Sequence, residues 1–525
     1  MNVAVYDRYW STGGGGEKFA AGIAVALAAE HDVVLIAHEA VDTGWLGERL
    51  QIDLAGVGID VEAEDAGAVS HASARYDLFV NASYASGDPS HARHGLYVVH
   101  FPGRAPGPLE QAQRGLSERA SGMLDAAAMV TFGDGFYLPE WVRLHTIHWT
   151  SGEASLTVRA RGDGPDGGVD GTVPVVVLLG RFVPAEVGPV EVEAEVDGRV
   201  VGRATLTAPR SRSDRRRSLP LSFEIEMAAG ASRTVTLRSR SWVPSEHGIG
   251  ADVRRLGVPV IGAHAGGGWR RALAVAAPTL VAGRNHLDFL DTYDRILSNS
   301  MYTQDWVRRL WDRDSAVLHP PVTLMPRGHK RPIILSVGRF FLPGTGHNKK
   351  QLELVEAFRR LCERGAAGWE LHLVGGCSPE HAAYLDQIRE AAAGLPVVIH
   401  PDAAGAELRD LYAQASIFWH AAGLDEDMQR HPERYEHFGI TTVEAMSAGA
   451  VPVVIDAAGQ VEIVDQGVSG YRFRTLDGLV RHTEVLIANP GWRQELSHAA
   501  QQRAQAFDAA VFTDRIRQAV ASLAA

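Results

Sequence analysis

The amino-acid sequence predicts an α/β protein in which two parallel-sheet units face each other across a cleft, with an all-β sandwich inserted into the first. Three observations predict it. Residues 2–131 and 333–506 alternate short apolar runs with helical patterns, as strands covered by helices do. Residues 146–264 instead follow a period of two and are rich in Thr, Val, Arg and Gly. A chain of 525 residues with 46% hydrophobic content is longer than one core supports, so two or three domains with buried interiors are expected.

In the first unit, residues 3–6, 33–37, 78–81, 97–100 and 129–131 read as strands, and residues 17–30 as a helix. In the insert, residues 190–196 and 199–207 flank Asp197-Gly198 as a hairpin around a two-residue turn, and residues 221–226 and 234–239 add strands. After Gly266-Gly267-Gly268 the helical pattern resumes. Residues 293–300 form another buried strand, followed by a helix through Trp306 and Trp311, so the chain re-enters the first unit. Pro320-Pro321 and Pro326 punctuate a linker. The second unit follows, with strands at 333–337, 370–374, 397–400, 417–420 and 451–455, and residues 508–525 form a last helix that packs back on the first unit. The expected division is therefore 1–145 with 266–323, the insert 146–265, and 324–507.

Composition excludes several classes of function. A formal net charge of −12 provides no overall positive field for phosphate backbones, which argues against a nucleic-acid partner. Two cysteines, Cys362 and Cys377, are too few for a disulfide framework and lack zinc-site spacing, so a reducing cytoplasm is the natural compartment. The N-terminus reads as a strand and lacks the features of a signal peptide. Apolar stretches such as 20–29 fall short of the roughly 18 residues that suggest a membrane span, leaving a soluble protein or one peripheral to a membrane.

Open parallel sheets bind ligands beyond the carboxyl ends of their strands, so chemistry is sought in the cleft. In the run Glu436-His437-Phe438-Gly439-Ile440-Thr441-Thr442-Val443-Glu444-Ala445-Met446, residues 439–447 open a helix whose unpaired N–H groups suit a diphosphate. Glu444 follows on that helix, where its carboxylate would accept hydrogen bonds from ribose hydroxyls. Glu436 and Glu444 are not a glycosidase pair. Eight helical residues separate them by about 12 Å, beyond the spacing of such carboxylates. Arg339 and Lys349 stand at strand and helix ends facing the cleft, where cations neutralise a departing diphosphate. Gly14, Gly15 and Gly16, within Gly13-Gly14-Gly15-Gly16-Glu17-Lys18, join the first strand to the first helix and let backbone approach a ligand. The run is not G-x-G-x-x-G, which weakens a dinucleotide reading. His100 ends the apolar strand of Tyr97-Val98-Val99-His100-Phe101-Pro102 at the mouth of the cleft; His400 and His420 have no metal-ligand spacing.

The Glu-x7-Glu spacing with its embedded Phe-Gly and the run Glu-Ala-Met-x-Ala-Gly-x-x-Pro resemble the signature of retaining family 4 glycosyltransferases of the GT-B fold, two Rossmann-like domains across a cleft. The resemblance covers about residues 1–145 and 266–525 and makes 324–507 the nucleotide-sugar domain and the first unit the acceptor side. It implies that Arg339 and Lys349 bind the diphosphate, that Phe438, Gly439, Ile440, Thr441 and Glu444 hold the nucleotide sugar, and that His100 and Glu436 contact the donor sugar. Residues 341–347 form a longer loop than the family has, which leaves Lys349 and Lys350 both open as the phosphate ligand. Asn299-Ser300, Tyr302-Thr303 and His319-Pro320-Pro321-Val322 fit the family's passage between domains. With Val-His-Phe-Pro, these motifs look most like mannosyltransferases that extend lipid-linked oligosaccharides from GDP-mannose. Residues 241–258 resemble accessory β domains of some bacterial sugar transferases, and the arginine-rich run at 210–217 reads as a solvated hairpin loop.

The implied reaction transfers a hexosyl group, with retention, from a UDP-, GDP- or ADP-sugar to a glycan or lipid-linked acceptor. It needs no metal, since cations and N–H groups supply the compensation and no Asp-x-Asp motif marks a metal site in the cleft. The alternatives are a non-catalytic glycan-binding protein with a vestigial cleft, and a sugar-nucleotide epimerase or phosphorylase of the same fold.

Overall fold

The computed structural model describes residues 1–63, 67–103, 128–137, 140–142, 145–160, 171–211, 214, 217–228, 230–249, 254–278, 287–343, 348–403 and 405–523. Within them lie two parallel sheets and two antiparallel ones. The first parallel sheet has seven strands in the order Ala316–Val317, Arg295–Ser298, His94–Val99, Leu78–Asn81, Asn2–Tyr6, Asp32–Ala37, Gly58–Val61. Its inner strands are largely apolar and buried because helices cover both faces: Leu78–Asn81 is buried at every position. The helix Gly15–Ala28 packs Phe19, Ile23 and Leu27 onto Val3, Val5 and Leu35. The last helix, Ala509–Ala521, brings Phe512, Ile516 and Val520 into this same core, with Phe512 5.7 Å from Phe19 between ring centres.

The second parallel sheet has six strands, Val397–Pro401, Glu370–Gly375, Arg331–Val337, Ala415–His420, Val451–Ile455 and Tyr471–Phe473. The cores on its two sides are built from residues such as Phe358, Leu371 and Trp419 on one, and Leu335, Tyr412 and Phe418 on the other. Both architectures are doubly wound, so the carboxyl ends of the two sheets carry the loops that meet between them.

Two five-stranded antiparallel sheets lie between the halves of the first unit in sequence and share one apolar core. In Leu219–Met227 the residues Leu221, Phe223, Ile225 and Met227 face this core while Glu224 and Glu226 face solvent, the alternation of a sheet wetted on one side. Val190–Val196 and Arg199–Leu206 pair as a hairpin, with Asp197 at φ 47° and Gly198 at φ 77°, the two positive dihedrals such a tight turn requires.

One strand lies elsewhere than expected. Residues 129–131, read as part of the first parallel sheet, belong to Ala128–Phe132, which pairs antiparallel with Glu153–Ala160. The physical reason is legible in burial: Ala128 and Val130 are buried while Met129 is 39% exposed, an alternation that suits a half-wetted sheet and not a doubly covered one. In the parallel sheets the sequence reading lacks three short strands, Gly58–Val61, Ala316–Val317 and Tyr471–Phe473, each at an edge of its sheet; in the antiparallel sheets it lacks Glu140–Val142, His145–Trp149, Glu153–Ala160, Gly171–Leu179 and Pro259–Ala265. Of the arginine-rich run, Arg212, Ser213, Arg215 and Arg216 lie outside the described residues, as do residues 344–347 of the long loop. Among the described residues no helix is long and apolar enough to cross a membrane.

Candidate functional site

The loop between the first strand and the helix Gly15–Ala28 reaches across the cleft to the second lobe. A Cβ at Gly14 would lie 2.6 Å from Nη2 of Arg339 and 2.8 Å from a carboxylate oxygen of Glu17, so only glycine allows both groups to approach this backbone. Glu17, in the first turn of the helix, accepts the Gly14 N–H and fixes the loop. Gly15 faces the Ile440 side chain, and Gly16 faces the His100 ring, each within 4 Å of where a Cβ would be.

His100 follows the strand His94–Val99. Its Nε2 is 2.7 Å from the Ala82 carbonyl, which only accepts, so Nε2 carries the proton. Burial lowers its pKa, against the opposing pull of Ala82 and Glu17, and keeps the ring neutral near pH 7. Asn299 donates to the His100 carbonyl at 3.0 Å and holds this strand end against the chain's second passage through the unit. Asp7, at the end of the first strand, two strands over in the same sheet, also lines the cleft; burial, and then the nearby Glu17, raise its carboxyl well above the usual range.

The second lobe presents charge. Arg339 follows the strand Arg331–Val337, is exposed, and has no hydrogen-bond or ion-pair partner for its guanidinium among the described residues. Lys349 precedes the helix Gln351–Glu363 and passes close over Gly338, where a Cβ would lie 2.6 Å from its Cγ. Its Nζ is 2.5 Å from Oε2 of Glu436, and His420 Nε2 is 2.9 Å from the same oxygen. Burial alone would raise the Glu436 carboxyl, but Lys349 and His420 overcome it and hold the pKa well below the usual range. Glu436 is therefore ionised.

Behind Glu436, Gly439 takes φ 124° and precedes the helix Ile440–Ser447. A side chain is excluded there both by the dihedral and by Gln460, whose Nε2 would lie 2.4 Å from a Cβ. The first N–H groups of any helix lack intrahelical partners, and here Gly439, Ile440 and Thr441 line the cleft.

The structure gathers Gly14, Gly15, Gly16, His100, Arg339, Lys349, Glu436, Phe438, Gly439, Ile440 and Thr441 around one cavity of about 540 Å³ between the lobes. It separates the two candidate lysines. Lys350 takes φ 60°, and its Nζ turns to Glu426 at 2.9 Å, while Lys349 faces the cavity. Glu444 does not line the cavity. Its carboxylate is buried, accepting from Lys18 Nζ at 3.2 Å and from the Tyr412 hydroxyl at 2.9 Å.

Sequence reasoning gives no role to three groups here. His420 is placed like His100, at the end of an apolar strand, and that position was the available signal. Lys18 gave none, since its partner is 426 residues away. Glu462 accepts the backbone N–H groups of Met301 and Tyr302 at 2.9 and 2.8 Å, and lies 3.1 Å from His319 Nε2, tying the second lobe to the start of the helix Met301–Trp311.

Residues 326–505 match the family model described as Glycosyl transferases group 1, so the second lobe is a glycosyltransferase group 1 domain. Over 245 residues the chain is 25% identical to a GDP-Man:Man(3)GlcNAc(2)-PP-Dol alpha-1,2-mannosyltransferase of Dictyostelium discoideum, covering 42% of this chain and 45% of that protein. The chain thus spans less than half the length of this curated relative. Among solved structures, Alr3699/HepE of Anabaena in complex with UDP superposes with a TM-score of 0.52 at 12% identity, over 99% of this chain and 100% of that one. Its complex with UDP-glucose gives 0.51 at 13%, with the same coverage. At such identity the likeness shows the fold alone: an α/β, GT-B-like architecture with parallel sheets.

Proposed function

We propose that this chain, whose second lobe is a glycosyltransferase group 1 domain, is a retaining, family 4 type hexosyltransferase that uses a nucleoside diphosphate sugar. The observation that carries the reading is the convergence of Arg339, Lys349 and the helix start at Gly439 on one cavity opposite the glycine loop and His100. Two cations and a set of unpaired N–H groups suit a pyrophosphate, and the cavity is of the size that encloses a small ligand.

In the proposed reaction the acceptor hydroxyl attacks C1 of the donor sugar on the face that the nucleotide leaves. The C1–O bond to the β-phosphate breaks, the new glycosidic bond forms, and a β-phosphate oxygen takes the acceptor's proton. Arg339, Lys349 and the helix start stabilise the charge that grows on the diphosphate. Ionised Glu436 accepts hydrogen bonds from donor-sugar hydroxyls while it positions Lys349, and neutral His100 contacts the same sugar. Glu444 binds the ribose by exchanging Lys18 for its hydroxyls. The step uses no metal.

The mannosyltransferase relative supports a mannosyl donor and a lipid-linked glycan acceptor, which would place the protein at the inner face of a membrane. The UDP complexes of the structural neighbour support nucleotide binding in this fold and leave the base open. We read the antiparallel sheets as an inserted sandwich unit, its strands beginning ahead of residue 146.

Thermal-shift titration against UDP-, GDP- and ADP-sugars, followed by transfer from the radiolabelled donor that stabilises the protein, tests the reading. The expected result is stabilisation by one donor class and label in a glycan product, undiminished by a chelator. Full stabilisation and transfer in Arg339→Ala, Lys349→Ala and Glu436→Ala would overturn the site. Label released as free sugar phosphate, or isomerised in the donor, would favour a phosphorylase or an epimerase.

A further inference from the structure

The second lobe carries another cavity, of about 510 Å³, that the proposed reaction does not use. It lies at the opposite end of the central strand. Arg331–Val337 starts at this cavity and ends at the cleft, and a strand rise of about 3.3 Å per residue separates them by roughly 20 Å.

Its lining is unusual for a chain with a net charge of −12. Arg327, His329, Lys330, Arg331 and Arg493 all line it, and no Asp or Glu does. Arg331 is partly neutralised from outside, with Glu370 at 3.7 Å, and donates to Gln414 at 3.1 Å. Arg493 lies over the Trp369 ring at 5.3 Å and donates to the Leu486 carbonyl at 2.6 Å. Arg327 and His329 have no ion pair among the described residues, and Lys330 Nζ meets only the Tyr412 carbonyl, at 3.3 Å. Burial, and then the charge of Arg327, depress the Lys330 pKa to about 7. The helix Pro490–Ala504 opens at the same cavity through Pro490 and adds its positive dipole end.

The cations gathered in this recess repel one another, most at Lys330 and Arg493, which are half-buried, and Glu370 beside Arg331 offsets only part of that repulsion, so an anion would relieve it. Guanidinium groups together with a helix start match phosphate oxygens. We propose that this recess is a second anion site, distinct from the cleft, that binds a phosphate- or pyrophosphate-bearing group. The same chemistry is offered by a free anion and by an anionic lipid headgroup.

The test runs on the full chain carrying Arg339→Gln and Lys349→Gln, which weaken anion binding in the cleft. Inorganic pyrophosphate is titrated by calorimetry in one arm. In the other, flotation is measured with phosphatidylcholine vesicles with and without phosphatidylglycerol. The expected result is saturable binding in at least one arm, weakened about tenfold or more by adding Arg327→Gln and Lys330→Gln. Pyrophosphate binding identifies a free anion, and flotation that depends on phosphatidylglycerol identifies a headgroup. A second measurement needs no variant at the recess. The Lys330 amine should be labelled readily by an acylating reagent near neutral pH and be protected by whichever probe binds. Absence of binding in both arms, binding indifferent to the recess substitutions, or labelling of Lys330 that the bound probe does not reduce, overturns the proposal. None of these readouts depends on sugar transfer.

Discussion

The two walls of the cleft solve different electrostatic problems. On the first lobe, burial drives groups toward their neutral forms: His100 is held below its usual pKa and the Asp7 carboxyl above its own. On the second lobe, burial is overridden. Glu436 stays ionised between Lys349 and His420, and Arg339 stands exposed with no ion-pair partner among the described residues. The difference teaches how a two-lobed fold can divide a charged ligand. In the proposed reaction the second wall would meet the part that carries permanent negative charge, and the first the part that must react without strong fixed charges pulling on it.

The largest effect should come from removing the charge of the second wall. Arg339→Ala and Lys349→Ala should each lower kcat/KM for transfer by about 10²-fold or more, since in the proposed reaction each would take one stabilising partner from the leaving diphosphate. Lys350→Ala should change transfer by less than about threefold, because that side chain is committed to Glu426. Steady-state assays of the three variants side by side would sharpen the division, and equal losses for the two lysines would break it.

Glu436→Gln should follow, with a loss of about tenfold to 10²-fold, because it removes the charge that Lys349 and His420 converge on. It also makes a signed prediction about pH. The folded pKa of Glu436 lies below its unfolded value, so its contribution to stability is present above the ordinary glutamate range and is lost as pH falls through the depressed folded value. The melting temperature of the unsubstituted protein should therefore fall more steeply in acid than that of Glu436→Gln. Parallel acid limbs would show that Glu436 is not held ionised.

Much of this second wall was legible in the sequence, and the reason is physical. Arg339 and the segment from Phe438 to Thr441 stand at strand and helix termini, positions that short-range pattern fixes within a residue or two. The choice between Lys349 and Lys350 was not legible. It turns on one dihedral, φ 60° at Lys350, and on Gly338 leaving room for the Lys349 stem. The strand Ala128–Phe132 was placed in the wrong sheet because so short an apolar run carries no information on whether one face or two will be covered. The buried state of Glu444 was hidden for another reason: its partner Lys18 lies on the other lobe, and no local pattern reports a contact across a cleft.

On the first wall the expected effects are smaller. His100→Gln keeps a donor for the Ala82 carbonyl and should lower transfer by about tenfold while leaving the fold intact. Since burial depresses the His100 pKa, folding disfavours its protonated form, and the native protein loses stability as pH drops below the unfolded histidine value of about 6.5. His100→Gln should relieve that loss. A variant equally sensitive between about pH 6.5 and about pH 5 would remove His100 from the account of the neutral wall.

The smallest effect is expected where the two walls touch directly. Lys18 and Glu444 form a buried pair between the lobes, and the proposed ribose contact requires Glu444 to release that partner. Lys18→Met removes the competitor at the price of an unpaired buried carboxylate. It should lower the melting temperature of the free protein, and tighten the binding of the cognate nucleoside diphosphate by about two- to fivefold, since ribose hydroxyls then supply the hydrogen bonds the carboxylate has lost. The two readouts move in opposite directions, which separates exchange at Glu444 from simple loss of structure. If destabilisation is accompanied by weaker nucleotide binding, the pair is a strut that holds the lobes in register, and Glu444 belongs to the packing between the walls rather than to the ligand.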